Sequence, residues 1–199
     1  DSNRTMPLEG DSNFDGLKKA YANGIELRGK TLGIVGIGRI GQATAKMALA
    51  LGMKVIAADS YIDKVDVKVE FFDGQSISTT IVSQPLESLF KEADFITLHV
   101  PAQDGYIIGE KELAIMKDGV GIVNCARGGV IDEVALVKAL DSGKVLFAGL
   151  DVFESEPKPE MTILMHPKVS LTPHIGAATG EAQDRIGTEL ASQIISLLS

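Results

Sequence analysis

The run Leu32-Gly33-Ile34-Val35-Gly36-Ile37-Gly38-Arg39-Ile40-Gly41 sets three glycines at Gly-x-Gly-x-x-Gly spacing directly after an apolar stretch. The chemistry such a turn suits is anion binding. Gly36 permits a tight turn, Gly38 lets main chain approach a pyrophosphate, and Gly41 lets the following helix pack close to the strand. A helix opening at Arg39 and Ile40 then offers unpaired N–H groups and a partial positive charge to phosphates. Asp59 lies eighteen residues after Gly41, at the end of the next apolar run. An acid there accepts hydrogen bonds from ribose hydroxyls and repels a 2′-phosphate. Ser60 and Tyr61 follow it and no Arg does, so the pattern favours NAD over NADP. Three further polar blocks stand in the second half: Asn124-Cys125-Ala126-Arg127-Gly128-Gly129, Asp151-Val152-Phe153-Glu154-Ser155-Glu156 and Thr172-Pro173-His174-Ile175-Gly176-Ala177. No metal-ligand spacing is visible, and no metal is expected.

These residues need elements to hold them. Residues 1–28 are polar and broken by glycines, and are expected to form an arm with one short helix near 14–22. From 29 to 178, short apolar runs at 31–35, 55–58, 95–100, 120–124, 145–150 and 169–171 alternate with helical patterns. Unbroken apolar runs are what a parallel sheet covered on both faces requires. Helices are predicted over 40–51, with Ile40, Ala43, Met47 and Leu51 as the apolar face, and over 86–93, 110–116 and 133–142. Asp132 stands where an N-cap should, and Gly143 where a helix should stop. The alternation predicts a doubly wound parallel α/β sheet of the Rossmann type, helices on both faces. Each polar block follows a strand, so all three gather at the carboxyl edge, where open α/β sheets bind ligands. Asp73-Gly74 predicts a β-hairpin insertion near 67–83, read as surface decoration. A last helix over 179–198 carries Ala182, Ile186, Leu190, Ile194 and Leu197 on one stripe, which needs a partner surface.

In the glycine loop and the three later blocks, taken in that order, the chain from 29 onward resembles the D-isomer-specific 2-hydroxyacid dehydrogenases, nearest to their 3-phosphoglycerate dehydrogenase branch. The resemblance implies roles. His174 is the general acid/base toward the substrate hydroxyl, and Glu156 hydrogen-bonds it, orients it and favours its protonated form. Arg127 binds the substrate carboxylate and carbonyl through its planar fork. Asp151 holds the nicotinamide carboxamide, and Val100, Pro101, Cys125, Ala126, Gly176 and Ala177 line NAD. Hydride transfer to a 2-keto acid needs a nicotinamide, an anion clamp and a proton donor, and one Arg, one His and one Glu supply the last two. The implied reaction is NAD-dependent oxidation of 3-phosphoglycerate to 3-phosphohydroxypyruvate, a step of serine biosynthesis. Glyoxylate or hydroxypyruvate reduction and a non-catalytic NAD(H) sensor or corepressor are the alternatives. A formate dehydrogenase-like activity is disfavoured, because those relatives carry Gln where Glu156 stands.

The bland readings are a core-strand end for His99, a loop position for His166, a solvated Glu154 and a small buried residue for Cys125. With a net charge of −8, neither nucleic acid nor an anionic membrane is an expected partner. The single cysteine fits a reducing cytoplasm. The chain opens without Met and reads as the tail of something upstream. The family resemblance implies a substrate domain of about a hundred residues in front, to which helix 179–198 would return, and a homodimer made through the cofactor domain. The 101–109 connection is shorter than in many relatives.

Overall fold

The computed structural model describes residues 2–198. The arm holds two helices, α1 (Ser2–Glu9), which the sequence reading did not anticipate, and α2 (Phe14–Ala20), of which only Leu17 is buried. Then come β1 (Thr31–Val35), α3 (Arg39–Ala50), β2 (Lys54–Ala58), β3 (Lys64–Glu70) and β4 (Ser76–Val82). The second half runs α4 (Leu86–Glu92), β5 (Phe95–Leu98), α5 (Glu110–Ile115), β6 (Val120–Asn124), α6 (Glu133–Ser142), β7 (Val145–Leu150), α7 (Met161–Leu164), β8 (Val169–Leu171) and α8 (Gly180–Leu198).

Six strands form one sheet in the order β2-β1-β5-β6-β7-β8, every neighbouring pair parallel. All four residues of the central strand β5 are buried. This is the apolar-run signature of a sheet covered on both faces. The main core joins β5, β6 and β7 to α4, α5 and α6 through residues such as Phe90, Ile96, Leu98, Ile122, Leu136 and Leu140. Burying one such Leu or Ile side chain is worth roughly 1.5–3 kcal/mol. Helix α6 is bounded as its sequence dictates. Asp132 accepts a 2.9 Å bond from the N–H of Ala135, and Gly143 ends the helix at φ +80°.

Two expectations need correction. In α3 the buried face is Gly41, Ala45 and Ala48, while Ile40, Ala43 and Met47 of the expected face, and Leu51 just after the helix, are exposed. Small residues let the helix lie close on the sheet; the larger ones were mistaken for the inner face. The hairpin β3–β4 is antiparallel about residues 71–75, as Asp73-Gly74 suggested, but it is no mere decoration. Val67 and Ile81 are buried against Ile34, Ile37, Ala45 and Ala57, so the hairpin closes a second core over β1 and β2.

His166 lies in the loop between α7 and β8, as its sequence position suggested, and is buried there, its Nε2 3.2 Å from Asp141 and its Nδ1 accepting the N–H of Lys168. Helix α8 forms where its stripe predicts, with no buried residue, and Ile186, Leu190, Ile194 and Leu197 are exposed.

Candidate active site and cofactor site

Strand order reverses between β1, which continues to β2, and β5, which continues to β6 on the other side. The crevice of an open α/β sheet lies above such a point. The glycine loop sits there. Gly36 has φ +91°, and a Cβ on it would stand 2.7 Å from the carbonyl oxygen of His99 and 3.1 Å from Val100. A Cβ on Gly41 would stand 2.1 Å from the carbonyl oxygen of Gly36. Close approach thus requires glycine at both. At Gly38 nothing lies within 4 Å of the Cβ position, and no side chain caps α3. The first turn of α3, with Arg39 and Ile40 exposed, thus carries no side-chain cap on its N–H groups, as a pyrophosphate site needs.

Asp59, at the end of β2, is already held by main chain. Its Oδ2 accepts from Ile37 N–H at 2.8 Å, and its Oδ1 from Tyr61 and Ile62 at 2.8 and 3.1 Å. A carboxylate offers about four lone-pair sites, so three donors leave room for a ribose hydroxyl. The loop, the open helix end and this acid together fit a dinucleotide. Arg39 turns elsewhere, pairing with Glu189 of α8 at 2.9 and 3.2 Å.

The remaining candidates meet above β6, β7 and β8. Asn124 braces the loop after β6, its Oδ1 accepting from Ala126 N–H at 3.0 Å and its Nδ2 donating to the Arg127 carbonyl at 3.0 Å. The Arg127 guanidinium bonds the Ala126 carbonyl at 2.5 Å. No hydrogen bond joins it to Glu156 or His174 among the described residues. Asp151, the residue after β7, is buried and takes a 2.5 Å bond from Thr172 Oγ1, with 2.8 and 2.7 Å bonds from the N–H groups of Ile175 and Gly176. Burial alone would raise its affinity for a proton, but these donors prevail and hold the carboxyl below the ordinary range. His174 N–H donates to the Asp151 carbonyl at 2.8 Å, and His174 itself adopts φ +55°. That is a left-handed conformation for a residue with a Cβ, worth about 1–2 kcal/mol of strain, which the three-point hold on Asp151 sustains.

His174 Nδ1 lies 2.8 Å from Glu156 Oε2, and Glu156 Oε1 accepts the Phe153 N–H at 2.9 Å. The His174 bond first, then that N–H, lowers the Glu156 carboxyl below its usual range. A cavity of about 390 Å³ borders the pair, walled by Phe153, Pro157, Pro159, Leu164 and Leu171. Cys125 stands beside Gly176 and is exposed, contrary to expectation; partial burial and the Asp151 charge raise its thiol pKa, which argues against a nucleophile. His99 is half-buried, with Nε2 3.1 Å from Thr97 Oγ1, and burial lowers its pKa. Pro101, Ile175 and Ala177 are exposed on the same edge. Among the described residues no group of three His, Cys, Asp or Glu could hold a metal.

Sequence reasoning gave no role to Asn124 or Thr172, which position Arg127 and Asp151. The one available signal was a short polar residue at a strand end, a type that bonds nearby backbone. Glu154, expected to be solvated, is exposed yet accepts bonds from Glu133 N–H and Tyr106.

Comparison with known proteins gives the same frame. The family model described as "D-isomer specific 2-hydroxyacid dehydrogenase, NAD binding domain" matches residues 8–176. The chain is 50% identical over 186 residues to a hydroxypyruvate reductase of Thermotoga maritima, covering 91% of this chain and 57% of that protein. It is 49% identical over 177 residues to a D-3-phosphoglycerate dehydrogenase of Methanocaldococcus jannaschii, covering 88% of this chain and 32% of that one. The solved structure of a D-2-hydroxyisocaproate dehydrogenase superposes with a TM-score of 0.81 at 30% identity, over 100% of this chain and 60% of its own. The chain thus spans little more than half of these relatives at most, and what it spans belongs to the D-isomer-specific 2-hydroxyacid dehydrogenases as their NAD-binding domain.

Proposed function

We propose that the whole protein interconverts a D-2-hydroxy acid and its 2-keto acid, with 3-phosphoglycerate and 3-phosphohydroxypyruvate the first pair to test. The observation that carries this reading is the 2.8 Å His174–Glu156 pair on the same sheet edge as Arg127 and the glycine loop. Bound NAD supplies or accepts the hydride. With Nδ1 committed to Glu156, His174 presents Nε2, which gives a proton to the keto oxygen or takes one from the hydroxyl. Glu156 stabilises the imidazolium and fixes the ring. Arg127 keeps guanidinium donors free for the substrate carboxylate. Asp151 sets the turn on which His174 sits and retains a lone pair for the carboxamide.

One observation favours a second substrate. The cavity beside His174 is lined mostly by apolar residues, with Glu156, Thr172 and His174 as its polar members and no Lys or Arg. Apart from His174, which the reaction itself would use, this wall holds no cationic side chain for a phosphate, which supports unphosphorylated hydroxypyruvate or glyoxylate. Steady-state kinetics of the full-length protein with NADH against all three keto acids decides between them. His174→Asn should lower kcat by about 10²–10⁴-fold on the preferred one. Tight NADH binding with no turnover of any 2-keto acid would sink the catalytic reading and leave the sensor.

A further inference from the structure

We propose that Glu133 is a positioning residue for this reaction, clamping the loop that carries Arg127 to the loop that carries Glu156; the inference rests on the dehydrogenase reading above. Glu133 opens α6 and is buried, with 8% of its surface exposed. Carboxylates are seldom buried without partners. Its Oε1 accepts the N–H of Glu154 at 2.9 Å, and its own N–H donates to Glu154 Oε1 at 2.8 Å. The two residues thus bond reciprocally across elements that lie 21 positions apart.

Helix capping does not explain the side chain. Asp132 already caps α6 through Ala135 N–H, so the Glu133 carboxylate is free to turn to the neighbouring loop. Nor is the location a comfortable one. Burial, then the Glu154, Glu160 and Glu156 charges, oppose its ionisation.

What the clamp secures is visible on both sides. Six residues before Glu133 stands Arg127, and a Cβ on Gly128 would lie 1.8 Å from the Phe153 carbonyl oxygen, so the two loops touch main chain to main chain. Two residues after Glu154 stands Glu156, whose Oε1 takes the Phe153 N–H and whose Oε2 takes His174. Tyr106, from the segment before α5, donates its hydroxyl to Glu154 Oε2 at 3.2 Å and ties in a third loop. Arg127 and the Glu156–His174 pair make no direct hydrogen bond. Glu133 and Glu154 form the fastening that sets the distance between anion clamp and proton donor.

The test compares Glu133→Ala, Glu133→Gln and Tyr106→Phe in the full-length protein. Glu133→Gln keeps a side-chain oxygen to accept the Glu154 N–H; Glu133→Ala does not. The expected result for Glu133→Ala is a fall in kcat of about tenfold or more and a several-fold rise in keto-acid KM, with the NADH Kd within about twofold of the parent. Glu133→Gln should recover kcat to within about threefold, and Tyr106→Phe should fall between. Parent-like kinetics in Glu133→Ala, or equal losses in the Gln and Ala variants, overturns the clamp. The same substitutions in the 199-residue chain are read by NMR. Glu133→Ala should shift both the Arg127–Gly129 amides and the His174 ring signals; unchanged signals there also overturn it. If the full-length parent turns over no 2-keto acid, the dehydrogenase reading falls alone, and these resonances still decide whether the loops are clamped.

Discussion

Asp59 and Asp151 are both carboxylates that main-chain N–H groups encircle, at two ends of the same sheet edge, and they differ in what removal would do. Asp59 is half-exposed and borders the glycine loop, so its loss should act on ligand more than on fold. Asp59→Ala is expected to weaken NAD binding by about 1–3 kcal/mol, the range for lost charge-assisted hydrogen bonds. Calorimetry giving equal affinity would remove Asp59 from the site. Asp151 is buried, and its proton affinity is depressed in the fold once its hydrogen bonds overcome the burial. A depressed carboxyl contributes stability above its unfolded value of about 3.9, and that contribution is lost as pH falls through the lower folded value. Asp151→Asn should therefore lower the Tm at neutral pH, with the gap from the parent narrowing below about pH 4. A gap that is constant across thermal melts from pH 7 to pH 3 would refute the ionic account. The glycines, Asp59, Arg127, Asp151, Glu156 and His174 could be placed on one sheet edge because each block follows a predicted strand. The roles of Arg127, Asp151, Glu156 and His174 were implied by the family resemblance and stay proposals. The bonds of Thr172, Glu133 and Glu154 were not legible, because their partners lie 21 residues away and no local pattern reports such a bond.

Helix α6 shows at the scale of elements what local sequence decides well. Its cap, its Gly143 stop and its buried Leu136 and Leu140 follow from residue type and period. Asp132→Ala should cost about 1 kcal/mol of stability by removing the Ala135 N–H acceptor, measurable by urea unfolding. No change in midpoint would mean that water caps the helix equally well. The six strands were legible for a related reason: continuous apolar runs leave few alternatives. The inner face of α3 was not. A hydrophobic stripe marks the inner face only when the helix stands off at ordinary distance, and Gly41, Ala45 and Ala48 bring this one closer. The hairpin's role was hidden likewise, since the cover of Val67 and Ile81 includes Ala45 of α3 and Ile34 of β1, far from the hairpin in sequence.

Across the whole molecule, exposed apolar side chains are unevenly placed. Phe14, Tyr21, Ile25 and Leu27 of the arm are exposed, as are Ile40 and Met47 of α3, Leu51 after it and the large apolar residues of the α8 stripe. The proposed homodimer would cover part of this surface, and sedimentation at tens of micromolar should show a species heavier than 21.1 kDa. A clean monomer there would count against it. The sheet carries an asymmetry of a different kind. The cofactor loop springs from β1, inside the sheet, whereas His174 follows β8, three residues long and last in the order. Edge segments breathe more readily than central ones, and amide protection should fade from β5 outward. If the proposed activity holds, warming the full-length protein should then extinguish turnover while NADH fluorescence still reports a loaded site, with recovery on cooling. Coincident loss of both would mean that the sheet opens as one unit. On the proposed reading, heat would reach the His174 turn at the sheet's margin first and the glycine loop last.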